Sequence, residues 1–391
     1  MVTFDEAVGI VLGSARLLGV EQVGISEAAG RVLAEDVESD IDIPPFDKAA
    51  MDGYACRRAD LGGELRVVES IPAGTVPGEK ILAGQCAQIM TGGVVPAGAN
   101  CVVMQEFVET LSADTVRFVG DRTADNICKR GEDIRAGDTV LCKGTLLRPQ
   151  DVAVLAMVGC VRPVVARRPR VGVIATGDEL VGPEEKPTGA RIRNSNGFQL
   201  AAQARQSGAV VVNYGTVGDS EGALEKALRQ GLDDSDVLLV SGGVSVGRHD
   251  LVRQSLRRLG VRLMFEKVAV KPGKPTVFGM TEKSFCFGLP GNPVSVFVMF
   301  ELMVKPFLYR LMGHQFRAAC CEAELAETIS SKRADRDSWL PVAFVDTGAV
   351  GPVEYHGSAH INALCGADGL ICVPAGVSEM PKGTRVVVRR I

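Results

Sequence analysis

Three acidic strand ends and a cluster of lysines are the residues here whose types and spacing could do chemistry. Thr176-Gly177-Asp178-Glu179, Gly218-Asp219, and Ser241-Gly242-Gly243 leading to Asp250 each follow a short apolar run. Carboxylates are ligands for a hard divalent cation. Glycines at the end of a strand let backbone N–H groups turn toward an anion, and a helix start just beyond adds partial positive charge. The opposite charge comes from FEKVAVKPGK at 265–274, which crowds Lys267, Lys271 and Lys274 around Pro272-Gly273. Taken singly these features are ordinary, because most Gly-Gly pairs only turn and most surface lysines are only solvated. Recurring carboxylates faced by lysines point to a metal and an anionic ligand held together.

Such groups need a scaffold that brings them to one edge. From Arg170 onward the pattern alternates, with strands predicted at 171–175, 210–214 and 237–240 and helices at 196–206, 220–232 and 251–259. That alternation predicts a parallel sheet with helices on both faces, binding ligands beyond the carboxyl ends of its strands. The stretch FCFGLPGNP at 285–293 adds a strand running into a helix, with Asn292 at the N-cap and Pro293 in the first turn. It is either plain capping or a second helix start facing an anion.

The flanking sequence is of another kind. Thr3 and Glu6 form a capping box for an amphipathic helix reaching about residue 18. Pro44-Pro45 interrupts regular structure, and short strands punctuated by Gly and Pro follow, the spacing of a small β-barrel or sandwich. Within them Asp52-Gly53 reads as a turn, Thr91 sets a hydroxyl beside Gly92-Gly93, and Lys129 to Asp133 reads as a solvated charged loop. A helix at about 149–158 brings the chain back. Beyond Gly313 strands are predicted at 323–329, 339–345, 353–355, 370–374 and 385–389, with Ser358 in a loop. His356 and His360 beside it lack a third zinc ligand. The fold class is multidomain α/β and β. A linking domain takes 1–45 and 140–168, an inserted small β domain 46–139, a central α/β domain 169–314 and a C-terminal β domain 315–391.

The totals bound the partners. A formal charge of −4 leaves no basic footprint for nucleic acid. Eleven scattered cysteines, odd in number and with no C-x-x-C pair, fit a reduced compartment. Asp5 and Glu6 stand where a secretory signal needs positive charge, and the apolar run at 294–311 is broken by Glu301, Lys305 and Pro306. The expectation is a soluble, cytoplasmic protein that engages neither membrane nor nucleic acid.

Eight segments in one order, PPFDKAAMDGYA, IMTGGVVPAGAN, KRGEDIRAGD, ATGDEL, SGGVSVGRHD, VAVKPGKP, GLPGNPVSV and HGSAHI, make the chain resemble the MoeA family of molybdopterin molybdenumtransferases, which includes the enzymatic domain of gephyrin. The resemblance implies a molybdopterin-binding-like central domain. It also implies insertion of molybdate into adenylylated molybdopterin, with Mg2+-dependent cleavage of the phosphoanhydride and release of AMP. By position, Asp52, Thr91, Glu179, Lys267, Lys271 and Ser358 match active-site residues, and Arg336 matches a family arginine loosely. Asp219 and Asp250 are expected at the metal. Ser241, Gly242, Gly243 and Ser245, with Pro290, Gly291 and Asn292, are expected to hold the cofactor substrate. The resemblance further implies a homodimer with a composite site, in which Asp52 and Thr91 act across subunits, and the enzyme that adenylylates molybdopterin as a further partner. Two other readings remain, a molybdopterin adenylyltransferase and a gephyrin-like binding scaffold. The long flanking β regions weigh against the first, and the lack of an extra amino-terminal domain or long linker weighs against the second.

Overall fold

The computed structural model describes residues 1–244, 251–330 and 334–391. Its centre is a six-stranded sheet in the order Val210–Val217, Arg170–Thr176, Val237–Ser241, Phe285–Leu289, Val277–Met280, Arg262–Phe265. The first four strands run parallel. The last two are antiparallel to their neighbours, so the sheet is mixed where the alternating pattern predicted a parallel one. The reason is local: Met280 pairs with Phe285 across a turn closed by Thr281 and Ser284, and so short a connection can only join antiparallel strands.

Val237–Ser241 shows why this sheet is buried on both faces. Val237 and Leu239 join one apolar cluster with the helix Asn196–Gln206, whereas Leu238 and Val240 join another with the helices Glu221–Asp234 and Leu251–Arg258. All four are fully buried, each contributing about 1.5–3 kcal/mol of apolar transfer. The amino-terminal helix Phe4–Gly13 has the predicted capping box and packs Ala7 and Val11 onto the first cluster. It stops five residues short of the predicted end, where the Ser14 hydroxyl turns back to the Ile10 carbonyl.

The chain leaves and re-enters along paired strands, Val20–Gln22 with Val164–Ala166 and Val37–Glu38 with Thr139–Leu141, over a core that includes Leu33, Leu147 and Leu155. Between them lies a second six-stranded sheet in which Gly53–Cys56 sits between Cys101–Met104 and Gln85–Ile89. A third sheet follows the central one. Its strand Asp337–Asp346 pairs with both Ala349–Pro352 and Gly369–Val373, closing five strands into a ring. The expected strand at 353–355 lies instead at Ala349–Pro352, because the tight turn between Asp346 and Ala349 fixes the register of the hairpin. Val270–Lys271 adds to the outer end of this ring, pairing with Asp337 and Ser338. That junction carries the lysine loop to the C-terminal sheet.

Candidate active site

The register of the central strands aligns their ends. Ala175 pairs with Ser241 and Ser241 with Leu289, so Thr176-Gly177, Gly242-Gly243 and Pro290-Gly291 emerge side by side. Thr176 pairs with Val217, which brings Gly218-Asp219 alongside. A cavity of about 620 Å³ opens there, and Glu179, Asp219, Ser241 and the Gly242-Gly243 pair line it. Pro290, Gly291 and Asn292 form its far wall. Of the two adjacent acids, Asp178 is committed to structure: its Oδ1 accepts the Asp219 backbone N–H at 2.9 Å. Glu179 is the one that faces the cavity.

The loop between these strands is held by Ser241 and by a side chain the sequence did not single out. Asn196, first residue of its helix, donates from Nδ2 to Ser241 Oγ at 2.8 Å and to the Gly291 carbonyl at 2.7 Å. Ser241 Oγ in turn donates to the Pro290 carbonyl. Gly242 has φ +95°, and a Cβ there would lie 2.4 Å from the Thr176 carbonyl oxygen. Only glycine lets the loop come this close to the neighbouring strand end.

A second cavity of about 560 Å³ shares Pro275, Pro290 and Asn292 with the first. Lys271, Lys274, Arg336 and Ser358 line it, and no carboxylate does among the described residues. The indole N–H of Trp339, also in this wall, has no hydrogen-bond partner among the described residues. Asn292 is the N-cap of Pro293–Met299, as predicted, yet its side chain does not cap. Its Nδ2 donates instead to Ser358 Oγ at 2.7 Å, while the Ser358 carbonyl accepts the Val294 N–H. The central and C-terminal sheets are thereby stitched together at the boundary between the two cavities.

Asp52 and Thr91 form a unit of their own. Both the backbone N–H and the hydroxyl of Thr91 donate to Asp52 Oδ1, at 2.6 and 2.7 Å, and these bonds hold the carboxyl below its usual range. Neither residue lines either cavity of this chain, and nor does Lys267, whose carbonyl accepts the Val2 N–H. Ser245 and Asp250 lie outside the described residues. Lys274 and Arg336, by contrast, converge with Lys271, and the signal was present in the spacing KPGK: a Pro-Gly turn returns the second lysine toward the first.

Comparison with known proteins fits this layout. Residues 2–159 match the MoeA N-terminal region (domain I and II), 172–310 the family described as "Probable molybdopterin binding domain", and 322–390 the MoeA C-terminal region (domain IV). The molybdopterin molybdenumtransferase of Staphylococcus epidermidis is 34% identical over 381 residues, covering 94% of this chain and 90% of that protein. The chain belongs to the MoeA family. The Bacillus subtilis molybdopterin molybdenumtransferase is 33% identical over 398 residues, with 98% and 93% covered. The crystal structure of a molybdopterin biosynthesis MoeA protein from Pyrococcus horikoshii superposes with a TM-score of 0.87 at 32% identity, covering 100% of both chains. The three matched regions between them contain all three six-stranded sheets.

Proposed function

We propose that this chain, a transferase of molybdenum cofactor biosynthesis, inserts molybdate into adenylylated molybdopterin and releases AMP. The observation that carries the reading is the pair of cavities divided by Pro290 and Asn292, one edged by carboxylates and a glycine loop, the other with Lys271, Lys274 and Arg336 as its charged lining among the described residues. A phosphoanhydride-linked substrate and a free oxyanion are two anions that must be brought together. Two adjoining sites of different charge supply that. In the first, the Gly243 backbone amide faces phosphate, while the Gly242 N–H donates to the Leu289 carbonyl. In the second, Lys271, Lys274 and Arg336 donate to oxyanion oxygens, with Ser358 held in place by Asn292.

Mg2+ is the metal the family implies. Among the described residues no three metal-binding side chains converge, but Mg2+ commonly takes one or two carboxylates plus substrate phosphates. Glu179 and Asp219 on one cavity wall fit that donor set, with Asp250 outside the described residues. When bound, the ion would neutralise charge on the phosphoanhydride as it breaks. The protein's own groups would orient that linkage and exclude competing poses.

The placement of Asp52 and Thr91 away from both cavities supports a homodimer in which a second copy supplies them. Met51, next to Asp52 in the chain, is 43% exposed. In the described residues no helix is long and apolar enough to cross a membrane.

Purified protein should convert adenylylated molybdopterin to molybdenum cofactor, with stoichiometric AMP, only when molybdate and Mg2+ are both present. Turnover that instead consumes ATP and yields the adenylylated pterin would replace this reading with an adenylyltransferase.

A further inference from the structure

Two buried polar atoms at the first cavity have no hydrogen-bond partner among the described residues. Thr176 is 4% exposed, and its Oγ1 has no hydrogen-bond partner among the described residues. The Oδ1 of Asn196 is buried and equally unpartnered, although the Nδ2 of the same amide makes two good bonds. Leaving a buried hydroxyl or amide oxygen unpaired is costly, and native interiors rarely tolerate it without a water or ligand. Both residues line the cavity. Amide orientation is not in question at Asn196: swapping oxygen and nitrogen would set an acceptor against the Gly291 carbonyl.

We propose that Thr176 and Asn196 bind the substrate directly, and that together they fix which way round it lies. The Thr176 hydroxyl sits against the glycine turn, where a Cβ on either Gly242 or Gly243 would come within 2.9 Å of it. It donates to the phosphoryl oxygen that the turn holds. Asn196 Oδ1 can only accept, and an ionised phosphate has no proton to offer. The group facing Asn196 is therefore an O–H or N–H of the uncharged part of the ligand, a ribose hydroxyl or a ring or exocyclic N–H of a nucleobase or pterin. Asn196 is at the same time a positioning residue, because its Nδ2 ties the Ser241 loop to the Gly291 turn. Sensing the ligand and bracing the loop are thus done by two ends of one amide. The inference rests on reading this cavity as the substrate site.

Calorimetric titration of the full-length protein tests it with AMP, 2′,3′-dideoxy-AMP and 6-hydroxymethylpterin as probes. Thr176→Val keeps the shape and removes only the hydroxyl. Since that hydroxyl bonds to none of the described residues, the variant should melt at or above the wild-type temperature yet bind AMP about tenfold more weakly. Unchanged AMP affinity would mean that the hydroxyl is merely buried, and would overturn its role. For Asn196, the readout is discrimination, which loosened loop packing alone would not erase selectively. Wild type should lose affinity for the probe lacking the matching donor, dideoxy-AMP against AMP if a ribose hydroxyl is read. Asn196→Ala should bind those two nucleotides alike. If a nucleobase or a pterin N–H is read instead, Asn196→Ala should lose affinity for both nucleotides or for the pterin respectively, and leave the two nucleotides in their wild-type ratio. Asn196→Ala with wild-type affinity for all three probes would defeat the assignment. Wild-type protein that binds neither AMP nor the pterin would overturn the reading of the cavity, and this inference with it.

Discussion

Gly242 is confined from two directions, by its positive φ and by the Thr176 carbonyl 2.4 Å from where a Cβ would stand. Gly291, across the cavity, is different: its nearest neighbour to a Cβ would be Gly242 Cα at 3.9 Å, an ordinary contact. The two glycines therefore separate fold from binding. Gly242→Ala should cost about 1–3 kcal/mol in urea unfolding, because the strained turn has no compensating contact. Gly291→Ala should stay within about 0.5 kcal/mol of wild type. Equal losses at the two positions would show that crowding against Thr176 is not what Gly242 avoids. The same comparison explains what was and was not readable at this scale. A glycine pair after a strand announces itself in the sequence, as do the acids at Glu179 and Asp219. Thr176 and Asn196 do not, because their significance lies in a missing partner, and partners come only with tertiary structure.

The loop from Lys129 to Asp133 shows the same limit in an element. Its charges predicted a solvated face, and Lys129, Arg130, Glu132 and Asp133 are indeed exposed, but the structure also pins the loop to the stretch that enters the inserted sheet. Asp47 accepts the Arg130 N–H and the Lys129 ammonium, each at 2.9 Å. Asp42 accepts the Ala136 N–H at 3.0 Å and Arg130 Nε at 2.6 Å. These partners stand more than eighty positions away, beyond any local pattern. Both carboxyls are held below the usual aspartate range, Asp42 chiefly by the Ala136 backbone and then by Arg130, Asp47 by the Arg130 backbone and then by Lys129. A carboxyl with a depressed folded pKa stabilises above its unfolded value and loses that contribution as pH falls through the folded one. The Arg130 and Ala136 amides should thus stay protected from hydrogen exchange down to about pH 4 and open only below it. Asp47→Asn should abolish that response at Arg130; an unaltered profile would remove the carboxylate as its cause. Elements whose signal is local fared otherwise. The strand Val237–Ser241 and the helix Asn196–Gln206 follow from apolar runs and periodicity alone, whereas the antiparallel edge beyond Phe285–Leu289 and the strand Ala349–Pro352 needed knowledge of strand pairing.

At the scale of the molecule, Asp52 and Thr91 stand apart from the expected site residues that line the two cavities. Glu179 and Asp219 share a cavity with the glycine loop, next to the one lined by Lys271 and Ser358, while Asp52 and Thr91 are bonded to each other on the inserted sheet. The Asp52–Thr91 pair is held by its own two hydrogen bonds, and the proposed homodimer would carry it to a partner's cavity. If a second copy brings it there, each dimer has two sites, and each site draws on both chains. Asp52→Ala then damages both sites of its own homodimer, and so does Glu179→Ala. A heterodimer of the two variants has one site carrying both defects and one carrying neither. Subunit exchange between the inactive proteins should therefore restore activity approaching one quarter of the wild-type level, since random mixing makes about half the dimers mixed and each has one intact site. Exchange would be followed by native mass spectrometry of isotope-labelled subunits. If heterodimers form and no molybdenum cofactor is made, the cavities must be complete within one chain, and Asp52 must act on the fold of the inserted sheet.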